Sequence, residues 1–140
     1  MRQDDDKLRR LLQEATCIAV VGASDDEDKA AHDVPAYLQE RGYRIIPVNP
    51  GSSEILGEPA FDDLSEVDQS VDVVEVFRPA EEAPALARKA AALGASVLWL
   101  QEGIVSEEAQ RIAEEAGLEV VMDECMMKNH RRLVASGSSS

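Results

Sequence analysis

Five short runs rich in β-branched residues recur at an almost fixed interval, and this rhythm constrains the fold more than any other feature of the chain. They are Cys17–Val21, Arg44–Val48, Val71–Val76, Val97–Leu100 and Leu118–Met122, with starts separated by 27, 27, 26 and 21 residues. Each is mostly apolar without strict alternation, the pattern of a strand covered on both faces. Between them lie segments of helical spacing: Val34, Tyr37 and Leu38; then Ala83, Leu86, Ala87, Ala90 and Leu93; then Ala109, Ile112, Ala113 and Ala116. These stripes stop at Gly42, Gly94 and Gly117, the residue type that a left-handed helix cap needs. Glu81, Glu82, Glu107 and Glu108 fall in first turns, where the helix dipole favours negative charge. Strand, helix and strand repeated in this way form βαβ units, whose crossovers make neighbouring strands parallel. The spacing predicts an α/β, Rossmann-like, doubly wound parallel five-stranded sheet with helices on both faces, a single domain over residues 1–134. An amphipathic helix over Lys7–Ala15 is expected before it and a flexible tail over Ala135–Ser140 after it. Asn49–Ser70 has no strong helical pattern and is expected to be loop plus one short turn.

Charge then limits the partners. Among 140 residues, 28 are acidic and 14 basic, giving a net charge of −14 and a pI near 4.4. A surface this negative repels phosphodiester backbones and anionic headgroups, which argues against nucleic acid or a membrane as partner. The hydrophobic fraction of 44% supplies one core, and with aromatics at 4% that core must be built from Val, Leu, Ile and Ala. Carboxylates combined with only four lysines (Lys7, Lys29, Lys89 and Lys128) suit a salty, halophilic cytoplasm. At about 1 M salt the screening length falls to roughly 3 Å and self-repulsion is suppressed. The N-terminus lacks a basic-then-apolar leader, and no apolar run approaches the roughly 18 residues of a membrane span, so a cytoplasmic location is expected. Cys17 and Cys125 are too few for a disulfide framework and read as reduced thiols.

In a doubly wound sheet, ligands bind outside the carboxyl ends of the strands, at the point where strand order reverses. That rule selects Gly22-Ala23-Ser24 after the first strand and Pro47-Val48-Asn49-Pro50 at the end of the second. It also selects Phe77-Arg78 after the third and Gln101-Glu102-Gly103 after the fourth. The first loop has one glycine where the dinucleotide fingerprint has three. Asn49-Pro50 stands where an acidic residue would hold a ribose, which disfavours a plain NAD dehydrogenase. Arg78 is the strongest candidate for an anion, because a guanidinium binds phosphate in bidentate fashion. Arg44 begins its strand at the wrong end of the sheet unless a ligand tail wraps round. His32 either reaches the crevice or packs. Trp99 reads as core. Asp123, Cys125 and His130 lack metal-ligand spacing, and no nucleophile elbow, Walker loop or catalytic triad is visible.

Several blocks together resemble a known family. Ile18-Ala19-Val20-Val21-Gly22-Ala23-Ser24, Tyr37-Leu38 with Gly42-Tyr43, Pro47-Val48-Asn49-Pro50 and Gly57-Glu58 are similar to the stand-alone CoA-binding domain proteins. Val71-Asp72-Val73-Val74-Glu75-Val76-Phe77-Arg78, Val97-Leu98-Trp99-Leu100-Gln101-Glu102-Gly103 and Val121-Met122-Asp123-Glu124-Cys125-Met126 continue the likeness in the same order. It covers roughly residues 10–133 and extends to the CoA-binding domain of the succinyl-CoA synthetase α subunit. The resemblance implies coenzyme A or an acyl-CoA as ligand and assigns Gly22, Ala23 and Ser24 to its phosphates. It places Pro47, Val48, Asn49 and Pro50 along the nucleotide, Phe77 and Arg78 on the adenine side, and Gln101, Glu102 and Gly103 on the far wall. The synthetase has a lysine where this chain has Ser52, so a cationic phosphate contact is lost, and the resemblance implies either weaker affinity or compensation by Arg44. The synthetase's phosphorylated histidine lies in a second domain with no counterpart here, so non-catalytic binding is expected. The alternatives are a nicotinamide- or other nucleotide-binding regulator, a CoA-binding subunit of a multi-chain acyl-CoA enzyme, and a redox-responsive protein using Cys17 or Cys125. A protein partner or weak homo-oligomer is compatible with each.

Overall fold

The computed structural model describes residues 4–135. All five expected strands form, as β1 (Cys17–Val21), β2 (Arg44–Val48), β5 (Val73–Val76), β6 (Val97–Leu100) and β7 (Glu119–Val121). They make one parallel sheet in the order β2-β1-β5-β6-β7. The order reverses at β1, where β2 lies on one side and β5 on the other, and this is the switch point. Crossover helices are α2 (Ala30–Glu40), α3 (Ala83–Leu93) and α4 (Glu107–Glu115), with α1 (Asp5–Glu14) leading and α5 (Met126–His130) closing the fold.

The two faces of the sheet are packed differently. Ala19, Val21, Val74, Val76, Leu98 and Leu100 meet α3 and α4, whose buried contacts include Ala83, Ala87, Ala90, Ala109 and Ala113. Alanines at these positions let both helices sit close to the strands and to each other, so the core closes without aromatics. On the opposite face Ile18, Val20, Ile45, Val73, Val97 and Trp99 pack against α1, α2 and α5 through Leu8, Leu12, Leu38 and Met126. Trp99 is fully buried and its indole N–H donates to the Glu124 carbonyl at 2.8 Å, which makes it core, as its alternation with leucines indicated. Helix α3 ends at Gly94 with φ +80°, whose N–H reaches the carbonyls of Ala90 and Ala91, the left-handed cap that the glycine predicted.

Several boundaries differ from expectation. The third strand starts at Val73 rather than Val71, because Asp72 is a clamp and not a strand residue. Its carboxylate accepts from the Thr16 N–H, the Thr16 hydroxyl and the Cys17 N–H at 2.8–2.9 Å, joining the start of β1 to β5. Helix α1 begins two residues early, since the Asp4 side chain caps the Asp6 N–H. The 49–70 connection contains more order than a loop: a two-residue hairpin, β3 (Glu54–Ile55) with β4 (Glu58–Pro59), and a 3-10 turn at Leu64–Glu66. Helix α5 and the π-helical turn Arg131–Ala135 were not anticipated. They bury Met126, Asn129, His130 and Leu133, a pattern too short and too polar to register as helical periodicity. The expected tail lies outside the described residues except for Ala135, which ends that turn. Among the described residues no helix is long and apolar enough to cross a membrane.

Candidate functional site

A cleft of about 700 Å³ opens at the carboxyl ends of β1, β2 and β5, on the side covered by α3. Its floor is the turn after β1. Gly22 has φ +89°, and a Cβ placed there would stand 3.0 Å from both the Arg78 Cδ and the Phe77 carbonyl oxygen. Only glycine lets the Arg78 stem lie against this turn, and that contact holds the guanidinium at the cleft. The Gly22 N–H donates to the Val48 carbonyl at 2.9 Å and the Phe77 N–H to the Val21 carbonyl at 2.9 Å, so three strand ends meet here.

Asn49 joins the loops. Its side-chain amide donates to the Ala23 carbonyl at 2.7 Å, while its oxygen accepts from the Gly51 N–H at 2.7 Å. An acidic residue in this place could accept but could not donate to Ala23, which accounts structurally for asparagine where nucleotide-binding folds of the NAD type carry a carboxylate. The Ser24 hydroxyl accepts from the Asp26 N–H at 3.0 Å and shapes the approach to α2. Lys29 at the start of α2, together with Ala31, lines the same cleft, which places a helix N-terminus beside it.

Three cations therefore face one space: Lys29, Arg78 and Lys89. Arg78 is bound in bidentate fashion by Glu82, with Nε to Oε1 at 3.1 Å and Nη2 to Oε2 at 2.8 Å. This contact raises the pKa of Arg78 and lowers that of Glu82. Lys89 Nζ lies 2.8 Å from Asp63 Oδ1, and the Lys89 ammonium together with the Ser65 hydroxyl and N–H holds Asp63 down at about 2. Glu81 and Asp62 complete the charged lining, while Val21, Val48, Leu64, Phe77 and Leu86 supply apolar surface.

The residues selected from sequence thus divide. Gly22, Ser24, Val48, Asn49, Pro50, Phe77 and Arg78 line the cleft. Ala23 and Pro47 lie under it, buried in strand and turn. His32 does not line it; its Nδ1 is buried, makes no hydrogen bond and stands 3.5 Å from Asp33. Arg44 lies at the opposite pole, beside a hollow of about 110 Å³ shared with Glu58 and Pro59, because it is the first residue of a strand whose last residue reaches the cleft. Arg44 therefore cannot compensate for Ser52 at the cleft. Gln101, Glu102 and Gly103 also stand apart: Gln101 is buried, Glu102 pairs with Lys128 at 3.0 Å, and the Gly103 N–H is held by Asp123. The sequence reading missed Lys29, Asp63, Glu82 and Lys89. A signal existed for two of the four, since Glu82 and Lys89 stand four residues before and three residues after Leu86, spacings that keep to one helix face.

Comparison with known proteins agrees with this architecture. Residues 16–131 match the family described as CoA binding domain. YneT of Bacillus subtilis strain 168, an uncharacterized protein, is 42% identical over 124 residues, spanning 89% of this chain and 92% of that protein. A solved protein from Thermus thermophilus is 41% identical with a TM-score of 0.88, covering 94% of this chain and 99% of the other. The ADP-forming acetate–CoA ligase I of Archaeoglobus fulgidus is 26% identical over 119 residues, 78% of this chain but 17% of the ligase.

Proposed function

The chain belongs to the CoA-binding domain family, and on that premise we propose that it binds CoA or an acyl-CoA in the cleft at the switch point, without catalysing a reaction itself. The observation that carries this reading is the convergence of Lys29, Arg78 and Lys89 on one cleft in a chain of net charge −14. Two of the four lysines are spent on a single hollow. The residues present fit a nucleotide with several phosphates. The volume of about 700 Å³ lies within the range of small-molecule sites, and the Gly22 turn, where a Cβ would meet Arg78 and Phe77, lets the Arg78 stem lie along the cleft floor. When bound, such a cofactor supplies a thiol that carries acyl groups as thioesters. Arg78 offers a planar pair of donors to one phosphate, Lys29 and Lys89 offer point charges, and the start of α2 adds its dipole. Phe77 and Pro50 give the nucleotide apolar surface. Asn49 keeps the two loops at a fixed separation.

A second reading follows from the relation to the acetate–CoA ligase, of which this chain matches only 17%. In that reading the protein presents acyl-CoA to a separate catalytic chain. Thermal unfolding in KCl with CoA, dephospho-CoA, NAD and ATP tests the shared premise. A ligand at about 100 times its Kd stabilises the native state by roughly 2.7 kcal/mol, which moves the midpoint of a domain this size by several degrees. The expected result is a shift with CoA, a smaller one with dephospho-CoA and none with NAD. A shift with NAD alone would transfer the protein to the nicotinamide alternative, and no shift with any nucleotide would refute the reading. Acyl-CoA turnover by the purified chain would refute the non-catalytic part.

A further inference from the structure

Two of the three cations of the cleft are already paired with carboxylates. Glu82 takes the Nε–H and one Nη2–H of Arg78, the pair of donors that would grip a phosphate along that edge, and Asp63 pairs with Lys89. Lys29 alone of the three has no carboxylate against it among the described residues. With Asp62 and Glu81 also present, the lining carries four acids against three cations, so an arriving phosphate meets a surface of net negative charge.

We infer that Glu82 and Asp63 are built-in stand-ins for ligand phosphates, occupying Arg78 and Lys89 in the free protein and giving way to phosphate oxygens when the nucleotide enters. This rests on the nucleotide-binding reading and adds to it the residues that set affinity and selectivity.

The local structure fits an exchange at each position, by different means. Glu82 is the residue before α3 and its side chain caps no helix N–H. Its carboxylate is therefore free to leave without loosening the helix. Arg78 stays, because its stem is held against Gly22. The pair is about half exposed, at 47% and 45% of the side-chain surface. Exposed ion pairs of this kind contribute little and open readily. At the second position the acid is the fixed partner. Asp63 uses Oδ2 for the Ser65 N–H and hydroxyl and only Oδ1 for Lys89. Lys89, on a flexible four-carbon stem, is the group that turns toward the ligand.

The arrangement sets a selection rule. A ligand with phosphate at two separate places replaces both carboxylates and leaves each cation paired again. A ligand with phosphate at one place opens one pair at most and still faces the remaining acids.

Calorimetric binding of CoA at one fixed KCl concentration tests this in the wild type, Glu82→Gln, Glu81→Gln, Asp63→Asn and Arg78→Gln. Glu81→Gln removes the same local charge without freeing a cation, so it isolates the field effect. Asp63→Asn keeps an oxygen for Ser65 while releasing Lys89. Glu82→Gln is expected to bind CoA roughly two- to fivefold tighter than Glu81→Gln, the range an exposed ion pair supplies. Asp63→Asn should gain similarly. In the Arg78→Gln background, Glu82→Gln should gain no more than Glu81→Gln does. CoA binding by the wild type with equal gains from Glu82→Gln and Glu81→Gln would overturn the exchange and leave the binding reading intact. No CoA binding by the wild type or any variant would overturn both.

Discussion

Glu75 offers the sharpest test of the physical reasoning, because it is a carboxyl group in the centre of a parallel sheet. It pairs in register with Val20 on β1 and Trp99 on β6, is fully buried, and neither carboxyl oxygen has a hydrogen-bond partner. Burial disfavours the charged form and pushes its pKa up to about 8 from an ordinary 4.5. The unfolded chain ionises this group near 4.5, whereas the folded chain keeps its proton until about 8. Between those values the native state binds more protons than the unfolded state, so this group's contribution to stability falls as pH rises through the window. At about 1.4 kcal/mol per pH unit, roughly 3 kcal/mol is lost between pH 4.5 and pH 7, and the decline levels off above about 8. Glu75→Gln has nearly the same shape and does not titrate. Urea unfolding of the wild type and Glu75→Gln, paired at pH 5, 6, 7 and 8 in the same KCl, removes the effects of all other carboxylates by subtraction. The stability difference should move in favour of Glu75→Gln by about 3 kcal/mol from pH 5 to pH 8. A difference that stays flat across the series would mean that Glu75 ionises normally in the fold, and the argument from burial would fail.

Two further outcomes follow from other parts of the structure. Gly22→Ala places a Cβ 3.0 Å from the Phe77 carbonyl oxygen at a φ of +89°. It should lower stability by about 1–3 kcal/mol in denaturant unfolding and abolish the CoA-dependent midpoint shift; an unchanged shift would remove the turn from the site. The net charge of −14 predicts a thermal midpoint that rises with KCl as self-repulsion is screened, and a midpoint independent of KCl would refute the expectation of a halophilic protein.

How much of this was legible in the sequence depended on the distance over which each signal acts. Strand positions 17–21, 44–48 and 97–100 were readable to the residue, since burial on both faces leaves an uninterrupted apolar run. Val71-Asp72 reads as strand in the sequence but is not one, because Asp72 bonds to Thr16 and Cys17, 56 and 55 residues earlier in the chain. Helix α5 escaped notice because its burial depends on α1 and α2 and not on a repeat of its own. At the candidate site, the switch-point rule pointed, from strand ends alone, to the pole where the cleft of about 700 Å³ opens. It also included Gln101, Glu102 and Gly103, whose strand ends two places from β1 and opens away from the cleft.

Period, capping residues and charge are local properties, and from them the sequence alone determined the α/β class, the parallel strands, the three crossover helices and the loops at the switch-point end of the sheet. Convergence was decided only by tertiary structure. Lys89 meets Asp63 across 26 residues, and the Arg78 stem packs on Gly22 from a neighbouring strand. Glu75 looks unexceptional within Val73-Val74-Glu75-Val76, and its unusual protonation arises because two flanking strands and their covering helices exclude water from it. Such effects depend on which groups the folded chain brings together, and no pattern along the chain encodes them one residue at a time.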